Sequence, residues 1–131
     1  MAESFTFTAF GTVVGSARPR VTRNGTYIPA KTRRYRQLLR SCYVEQGGPV
    51  FSGPLRVTVE VFRELPKSRP KYVLTEPDTF KPDVDNVGKN VLDALNGVAW
   101  GDDATVTDMR VRKYPRTRCN ECLRVTIEPD V

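Results

Sequence analysis

Carboxylates are concentrated in one stretch of a chain that is otherwise basic. Eight of the fifteen acidic residues fall between Glu76 and Asp108, and the bases of that window are Lys81 and Lys89. The window carries a formal charge of −6, whereas the remaining residues, with 19 bases and 7 acids, carry +12. Carboxylate oxygens bind hard divalent cations, and Lys and Arg bind phosphates. This distribution is typical of a metal-dependent enzyme that acts on a polyanion.

Three of these carboxylates and one lysine have a spacing suited to metal-assisted hydrolysis. Asp83 and Asp85 are two residues apart at the start of a predicted helix, so both side chains can approach one point. Lys89 follows Asp85 by four residues on the same helix face. Asp103 joins them if the next strand begins near the helix N-terminus. Mg²⁺ would remove the repulsion between converging carboxylates, and Lys89 could stabilise charge that develops on a phosphodiester.

Each of these residues also has an ordinary structural interpretation. Asp83 alone is typical of a helix N-cap, and Asp102-Asp103 is typical of a turn. Lys89 could pair with Asp85 or Asp93, a contact worth only ~0.2–0.5 kcal/mol. We leave Asp93 out of the metal set for this reason. The functional interpretation depends on three carboxylates and a lysine occurring together.

Length and composition exclude several classes of protein. With 131 residues and a hydrophobic fraction of 39%, residues 1–131 are expected to form a single folded domain. The sequence contains no histidine, which excludes Ser-His and Cys-His nucleophiles and His-ligated zinc. No apolar run approaches the ~20 residues of a membrane helix, and the N-terminus lacks a secretory signal pattern. We therefore expect a cytoplasmic protein with no membrane partner.

The cysteines allow a second kind of metal site. Cys42, Cys119 and Cys122 are an odd number, which favours reduced thiols. Cys119 and Cys122 have the spacing of a zinc knuckle, but zinc requires four ligands and one chain offers three sulfurs. Two chains could supply four. The alternative is that Cys119 ends a loop and Cys122 opens the last strand.

The hydrophobic pattern predicts an α+β fold with a single mixed β-sheet and two helices on one face. The predicted elements are strands at 4–10, 26–28, 55–62, 104–113 and 122–128, a helix capped by Thr32, and a helix over 84–95. Tyr35, Leu38, Leu39 and Cys42 form the apolar stripe of the first helix. Residues 63–82 form a long loop, a feature that is often functional or mobile. Part of the apolar surface would lack a covering, which makes a dimer plausible.

The acidic window resembles the signature of RusA-type Holliday junction resolvases. The matching segments read Lys-Pro-Asp-Val-Asp-Asn-Val-Gly-Lys over 81–89, Leu-Asp-Ala-Leu-Asn-Gly over 92–97, and Trp-Gly-Asp-Asp over 100–103. The resemblance implies a RusA-like, dimeric enzyme that uses Mg²⁺, or Mn²⁺ as a substitute, to resolve Holliday junctions by paired symmetric nicks. It places the metal carboxylates at Asp83, Asp85 and Asp103 and the essential lysine at Lys89. Gly88, inside the helix, departs from good helix propensity.

The same resemblance implies four-way branched DNA as substrate, in recombination and repair within a bacterial cell or a phage-infected host. The candidate DNA contacts are basic residues of the N-terminal third: Arg18, Arg20, Lys31, Arg33 and Arg34. Three alternatives remain open at this point: a general nuclease for flaps or other branched DNA, a junction-binding protein without turnover, and a zinc-stabilised adaptor. Comparing junctions with flaps, testing for nicking, and measuring bound zinc would separate them.

Overall fold

The computed structural model describes residues 3–131, apart from the side chain of Arg20. The helices are α1 (Ala30–Glu45) and α2 (Val84–Leu95), and a short 3-10 helix covers Asp103–Thr105. The strands are β1 (Phe5–Phe10), β2 (Arg20–Thr22), β3 (Gly25–Tyr27), β4 (Leu55–Phe62), β5 (Thr75–Glu76), β6 (Val106–Lys113), β7 (Arg116–Thr117) and β8 (Cys122–Pro129).

Four strands form the main sheet, in the order β1-β8-β4-β6. β4 and β6 are parallel, whereas β8 is antiparallel to both β1 and β4. Parallel neighbours require a crossover connection, and α2 lies within the connection from β4 to β6. The predicted mixed sheet is therefore confirmed.

The helices cover one face of this sheet. Side chains alternate along β4, so that Leu55, Val57, Val59 and Val61 are buried while their neighbours are partly exposed. α1 packs near β1, α2 packs near β6, and the helices contact each other. Each buried aliphatic side chain contributes about 1.5–3 kcal/mol. The α+β arrangement with two helices on one face follows from this alternation.

The first helix begins earlier than predicted. α1 starts at Ala30 directly after Pro29, so Thr32 is a helical residue, buried against the core, and the expectation that it is the N-cap was wrong. Leu38 is 37% exposed, whereas Leu39 and Tyr43 are buried. The buried side chains of α1 therefore include Tyr35, Leu39 and Tyr43, at intervals of four residues, and the prediction that Leu38 belongs to the buried stripe was wrong.

The second helix has the predicted bounds and ends before Asn96-Gly97, where Gly97 has a φ of 77°. Val84 is 45% exposed rather than buried. A Cβ atom at Gly88 would lie 3.1 Å from Val111 Cγ2 and 3.3 Å from Met109 Cε. The glycine that weakens helix propensity therefore allows α2 to approach β6 closely.

Two small ribbons were not predicted as such. β2 and β3 form a hairpin around Asn24-Gly25, where the sequence predicted a tight turn and only the second strand. β5 pairs with β7, and Glu64 bridges to Thr117. The 63–82 segment is therefore fastened to the body of the protein at both of these points.

Candidate active site

The N-terminus of α2 presents two carboxylates to solvent. Asp83 is the N-cap residue, but its side chain makes no capping hydrogen bond, and Asp85 lies in the first turn. Both side chains are exposed, and neither forms an ion pair with a basic side chain in the described part of the chain. Negative charge at a helix N-terminus is stabilised by the helix dipole. The carboxylate oxygens of both residues are therefore accessible to a cation from solvent.

Lys89 lies exposed one turn beyond Asp85. The alternative pairing with Asp93 is wrong, because Asp93 accepts a hydrogen bond from Arg36 at 2.9 Å. Between residues 3 and 131, Lys89 forms no ion pair with Asp85 either. Lys89 thus lies one helical turn from Asp85 without an ion pair to it or to Asp93.

Asp103 lies against Trp100 rather than beside the α2 N-terminus. Trp100 Nε1 donates to Asp103 Oδ1 at 2.8 Å, and the Trp100 ring is buried. Asp102 Oδ1 accepts a hydrogen bond from Ala104 N at 3.1 Å, so this residue caps the 3-10 helix. The turn interpretation is confirmed for Asp102, whereas Asp103 is held by a side-chain contact.

The direction of α2 explains this separation. Gly88 near the start of α2 faces Met109 and Val111, while Asn96 after its end is bridged to Trp100. α2 is therefore antiparallel to β6, and its 12 residues extend for about 18 Å. Asp103, which precedes β6, lies toward the opposite end of α2 from Asp83.

The expected convergence of the three carboxylates within one chain is consequently not found. Across residues 3–131, no group of three or more His, Cys, Asp or Glu side chains is arranged to hold a metal ion. The physical reason is the antiparallel crossover, which brings the end of β6, not its beginning, to the α2 N-terminus. The assignment of Asp83, Asp85 and Asp103 as metal ligands remains a prediction.

A buried carboxylate fastens the segment that leads into α2. Asp78 has a side chain that is 0% exposed and lies 3.2 Å from Arg63 Nη1 and 3.7 Å from Lys113 Nζ. Arg63 Nη1 also donates to the carbonyl oxygen of Lys81 at 2.8 Å, and Lys113 Nζ donates to that of Phe80. This cluster could not be predicted from the sequence, because its charged members are 15 to 50 residues apart.

A basic groove of about 650 Å³ lies next to the carboxylates. Its walls are residues 13–18, the start of α1, and Lys81, Pro82 and Asn86. The last three belong to residues 78–86, which lead into α2 and are called the acidic segment below. The exposed cations along it are Arg18, Lys31 and Lys81. Ser16 N donates to the Asn86 carbonyl at 2.9 Å, which fixes one wall against α2. The groove can hold an anionic chain beside Asp83 and Asp85.

The comparison with known protein families agrees with these features. A family model described as Endodeoxyribonuclease RusA matches residues 11–128. The chain belongs to the RusA endodeoxyribonuclease family. It is also 37% identical over 123 residues to the uncharacterized protein YqaN of Bacillus subtilis (strain 168), a match that covers 82% of this chain and 85% of YqaN. The RusA match includes both the acidic window and the groove.

The arginines of α1 divide into two sets in this RusA-family chain. Arg33 and Arg34 are exposed near the start of α1. Arg36 Nε instead donates to Asn90 Oδ1 at 2.7 Å, and Arg40 Nε donates to the Ala94 carbonyl at 2.7 Å. The second set therefore pins α1 to α2, and only the first is available to a ligand. The side chain of Arg20, also predicted to contact DNA, lies outside the described residues.

The cysteines of the RusA-family chain are free thiols. Burial raises the pKa of Cys42 and of Cys122 above the ordinary thiol value. Cys122 opens β8, as the second interpretation predicted. The helices within the described residues are too short or too polar to cross a membrane.

Proposed function

We propose that the protein is a Mg²⁺-dependent endodeoxyribonuclease that resolves Holliday junctions by paired symmetric nicks, in recombination and repair. Mn²⁺ is the expected substitute ion. The observation that carries the proposal is the pair of exposed, unneutralised carboxylates at the start of α2, beside a basic groove, in a member of an endodeoxyribonuclease family.

The donor set is compatible with a hard divalent cation. Mg²⁺ is usually bound through one or two carboxylates and keeps several waters, which matches Asp83 and Asp85 on an exposed helix end. When bound, the ion polarises a phosphodiester and supplies an activated water. Lys89, one turn along the helix, is suited to stabilise negative charge on the leaving oxygen. The cations of the groove hold the phosphates of the strand to be cut.

A homodimer accounts for the position of Asp103. Because this carboxylate lies toward the far end of α2, we propose that Asp103 of the partner subunit completes the set begun by Asp83 and Asp85. A two-fold dimer built this way has two equivalent sites, and a four-way junction has two equivalent strands. Paired nicks then follow from the symmetry of the complex.

Mixed dimers test whether the site is shared. Asp85→Asn and Asp103→Asn chains are each expected to be inactive alone. If the sites are shared, a heterodimer of the two variants retains one site with both carboxylates. Mixing the two variants under conditions that allow subunits to exchange should then restore single nicks. If each chain has its own complete site, every site in the mixture carries a substitution and nicking stays absent.

The candidate DNA contacts are Arg18, Arg20, Lys31, Arg33 and Arg34. Arg18 and Lys31 line the groove, and Arg33 and Arg34 lie exposed nearby on α1. Phosphate contacts of this kind release counterions, so the binding constant should fall with a log–log slope of about −0.9 per neutralised phosphate. A binding constant that is insensitive to salt would argue against this surface.

The deciding experiment is a nicking assay with the wild-type protein on a synthetic immobile junction, a flap and a linear duplex. We expect Mg²⁺-dependent, symmetric nicks in the junction and much slower cleavage of the others. Equal cleavage of flaps would favour a general branched-DNA nuclease. Tight, Mg²⁺-independent junction binding without any nicks would favour a non-catalytic binding protein, and stoichiometric zinc would favour the adaptor.

A further inference from the structure

Beyond the carboxylates themselves, a buried charge cluster lies where two parallel strands end. Arg63 directly follows β4, and Lys113 is the last residue of β6. Because β4 and β6 are parallel, their C-terminal ends lie on the same side of the sheet, and both cations are located there. Asp78, from the 63–82 segment, inserts between them with a fully buried side chain. Arg63 and Lys113 are themselves only 14% and 10% exposed.

Each cation of this cluster makes two kinds of contact. One is the ion pair with Asp78 Oδ1, and the other is a hydrogen bond to the backbone carbonyl of Phe80 or Lys81. Those carbonyls belong to the residues immediately before Pro82-Asp83. The chain is thus held at three positions within four residues of the segment that leads into α2.

The cluster also reaches the groove wall. Glu121 Oε2 lies 3.9 Å from Arg63 Nε, and it accepts a hydrogen bond from Val13 N at 2.8 Å. Glu121 Oε1 accepts from Glu64 N at 3.1 Å. One continuous polar network therefore connects the start of the groove, the end of β4 and the acidic segment.

Stability alone does not account for such an arrangement. Within residues 3–131, Asp78 Oδ2 and Arg63 Nε are buried side-chain atoms without a hydrogen-bond partner. Buried ion pairs of this kind are often no more stabilising than well-packed apolar side chains, but their contacts are directional. A directional network is suited to fixing where a short segment lies.

We infer that Arg63, Asp78 and Lys113 form a positioning unit that sets the placement of Asp83 and Asp85 for metal binding and phosphodiester cleavage. The inference rests on the proposed function. None of the three touches the reacting atoms; each acts through the backbone carbonyls of Phe80 and Lys81. Displacement of catalytic groups by about 1 Å costs about 10²-fold in rate.

Asp78→Asn tests the unit with little change in shape. We expect the turnover rate at saturating junction to fall about 10- to 100-fold and the Mg²⁺ concentration for half-maximal rate to rise. Junction affinity measured in Ca²⁺ should change less than about threefold, because no phosphate contact is removed. Assays are run well below the unfolding temperature of the variant.

Asp108→Asn is the matched control. Asp108 also lies between two arginines, at 2.9 Å from Arg56 Nε and 3.2 Å from Arg110 Nη2, but it has no contact with the acidic segment. We expect wild-type turnover and Mg²⁺ dependence. The same losses in both variants would show a general effect of breaking ion pairs and would overturn the inference.

A second variant separates positioning from stability. Asp78→Asn combined with Lys113→Met removes one of the two cations that would otherwise be left buried without their carboxylate, so the double variant should be more stable to unfolding than Asp78→Asn alone. The hydrogen bond to Phe80 is lost as well, so turnover should stay low. Turnover that recovers in parallel with stability would overturn the inference.

A readout independent of activity distinguishes this inference from the proposed function. Val87 N donates to the Asp83 carbonyl at 3.0 Å, the first hydrogen bond of α2. Relative to the core amides of β4 in the same variant, its amide exchange should be faster in Asp78→Asn than in Asp108→Asn, and an equal ratio in the two variants would overturn the positioning unit. A wild-type protein that nicks no DNA would remove the proposed function, whereas active wild type with fully active Asp78→Asn would remove only the inference.

Discussion

Asp78 and Asp85 are seven residues apart in sequence and have opposite surroundings. The side chain of Asp78 is fully buried and shares one oxygen with two cations, Arg63 and Lys113. Asp85 is exposed at the start of a helix, and no base in the described part of the chain pairs with it. The protein thus neutralises one carboxylate with its own side chains and leaves the other without a basic partner in the described residues. The sequence around the two residues is similar in charge, so the difference between their surroundings arises from the tertiary structure.

The largest expected effect concerns the exposed carboxylate. Asp85→Asn should lower the nicking rate on a four-way junction by about 10²- to 10³-fold, because it removes a proposed ligand of the catalytic ion. Its free energy of unfolding should fall by no more than about 1 kcal/mol, since the interaction lost within the chain is that with the dipole of α2. Single-turnover nicking and urea titration measure the two quantities. Glu45→Gln, at an exposed site on α1, is the charge-matched control, and wild-type nicking by Asp85→Asn would refute the role of Asp85.

The buried carboxylate should give the converse result on stability. Asp78→Asn leaves two largely buried cations without their partner, so we expect the free energy of unfolding to fall by about 3 kcal/mol. Urea titration of wild type, Asp78→Asn and Asp85→Asn under the same conditions makes the comparison. If Asp85→Asn proved as destabilising as Asp78→Asn, the distinction between the two carboxylates would be lost.

A metal ion should stabilise the protein through the exposed carboxylates. At a Mg²⁺ concentration ten times its dissociation constant, linkage predicts a gain of about 1.4 kcal/mol in the free energy of unfolding. The gain should vanish in Asp85→Asn and persist in the Glu45→Gln control. Thermal unfolding with Mg²⁺ or with EDTA measures it without any nuclease assay. Equal gains in wild type and Asp85→Asn would place the ion elsewhere.

The smallest effect is expected at a carboxylate of intermediate exposure. Hydrogen bonds from Arg124 at 2.9 Å and Tyr114 at 2.7 Å lower the pKa of Glu60 below its usual value. Because the pKa of Glu60 is lower in the folded state, its ionised form stabilises the fold. This stabilisation is complete above the pKa of about 4.3 in the unfolded chain and is lost as the pH falls toward the lower pKa of the folded state. The unfolding temperature should be constant between pH 7 and 5 and decrease below about pH 4. Glu60→Gln should reduce that decrease, and an unchanged acid profile would contradict the assignment.

Regular elements could be predicted because their information is local. The apolar alternation of β4 and the 3.6-residue period of α2, followed by Asn96-Gly97, were sufficient for both elements. The start of α1 was missed because Thr32 is a residue type that often caps helices, whereas the residue at the N-cap is Pro29 and the helix begins at Ala30. The presence of one threonine in the sequence does not show whether that residue caps a helix or occupies a buried position within it.

The relation between the acidic residues was harder to predict. Asp83 and Asp85 at the start of α2 followed from spacing, but the place of Asp103 depends on the direction of β6 relative to α2. Recognising β4, α2 and β6 as a parallel unit with its crossover helix would have shown that the helix runs opposite to both strands. The Asp78 cluster was out of reach, because nothing in the sequence relates it to Arg63 or Lys113.

The strand order also governs when this protein becomes able to act during its synthesis. β4 pairs with β8 along its whole length, yet Cys122 follows Phe62 by 60 positions in the sequence. At about 5–20 residues per second, β4 emerges from the ribosome roughly 3–12 s before its neighbour. The interval is longer for β1, which also pairs with β8, because Phe5 pairs with Ile127. The nascent chain therefore already carries its whole acidic segment while the sheet that supports it is incomplete, and that support is complete only after β8 has been made.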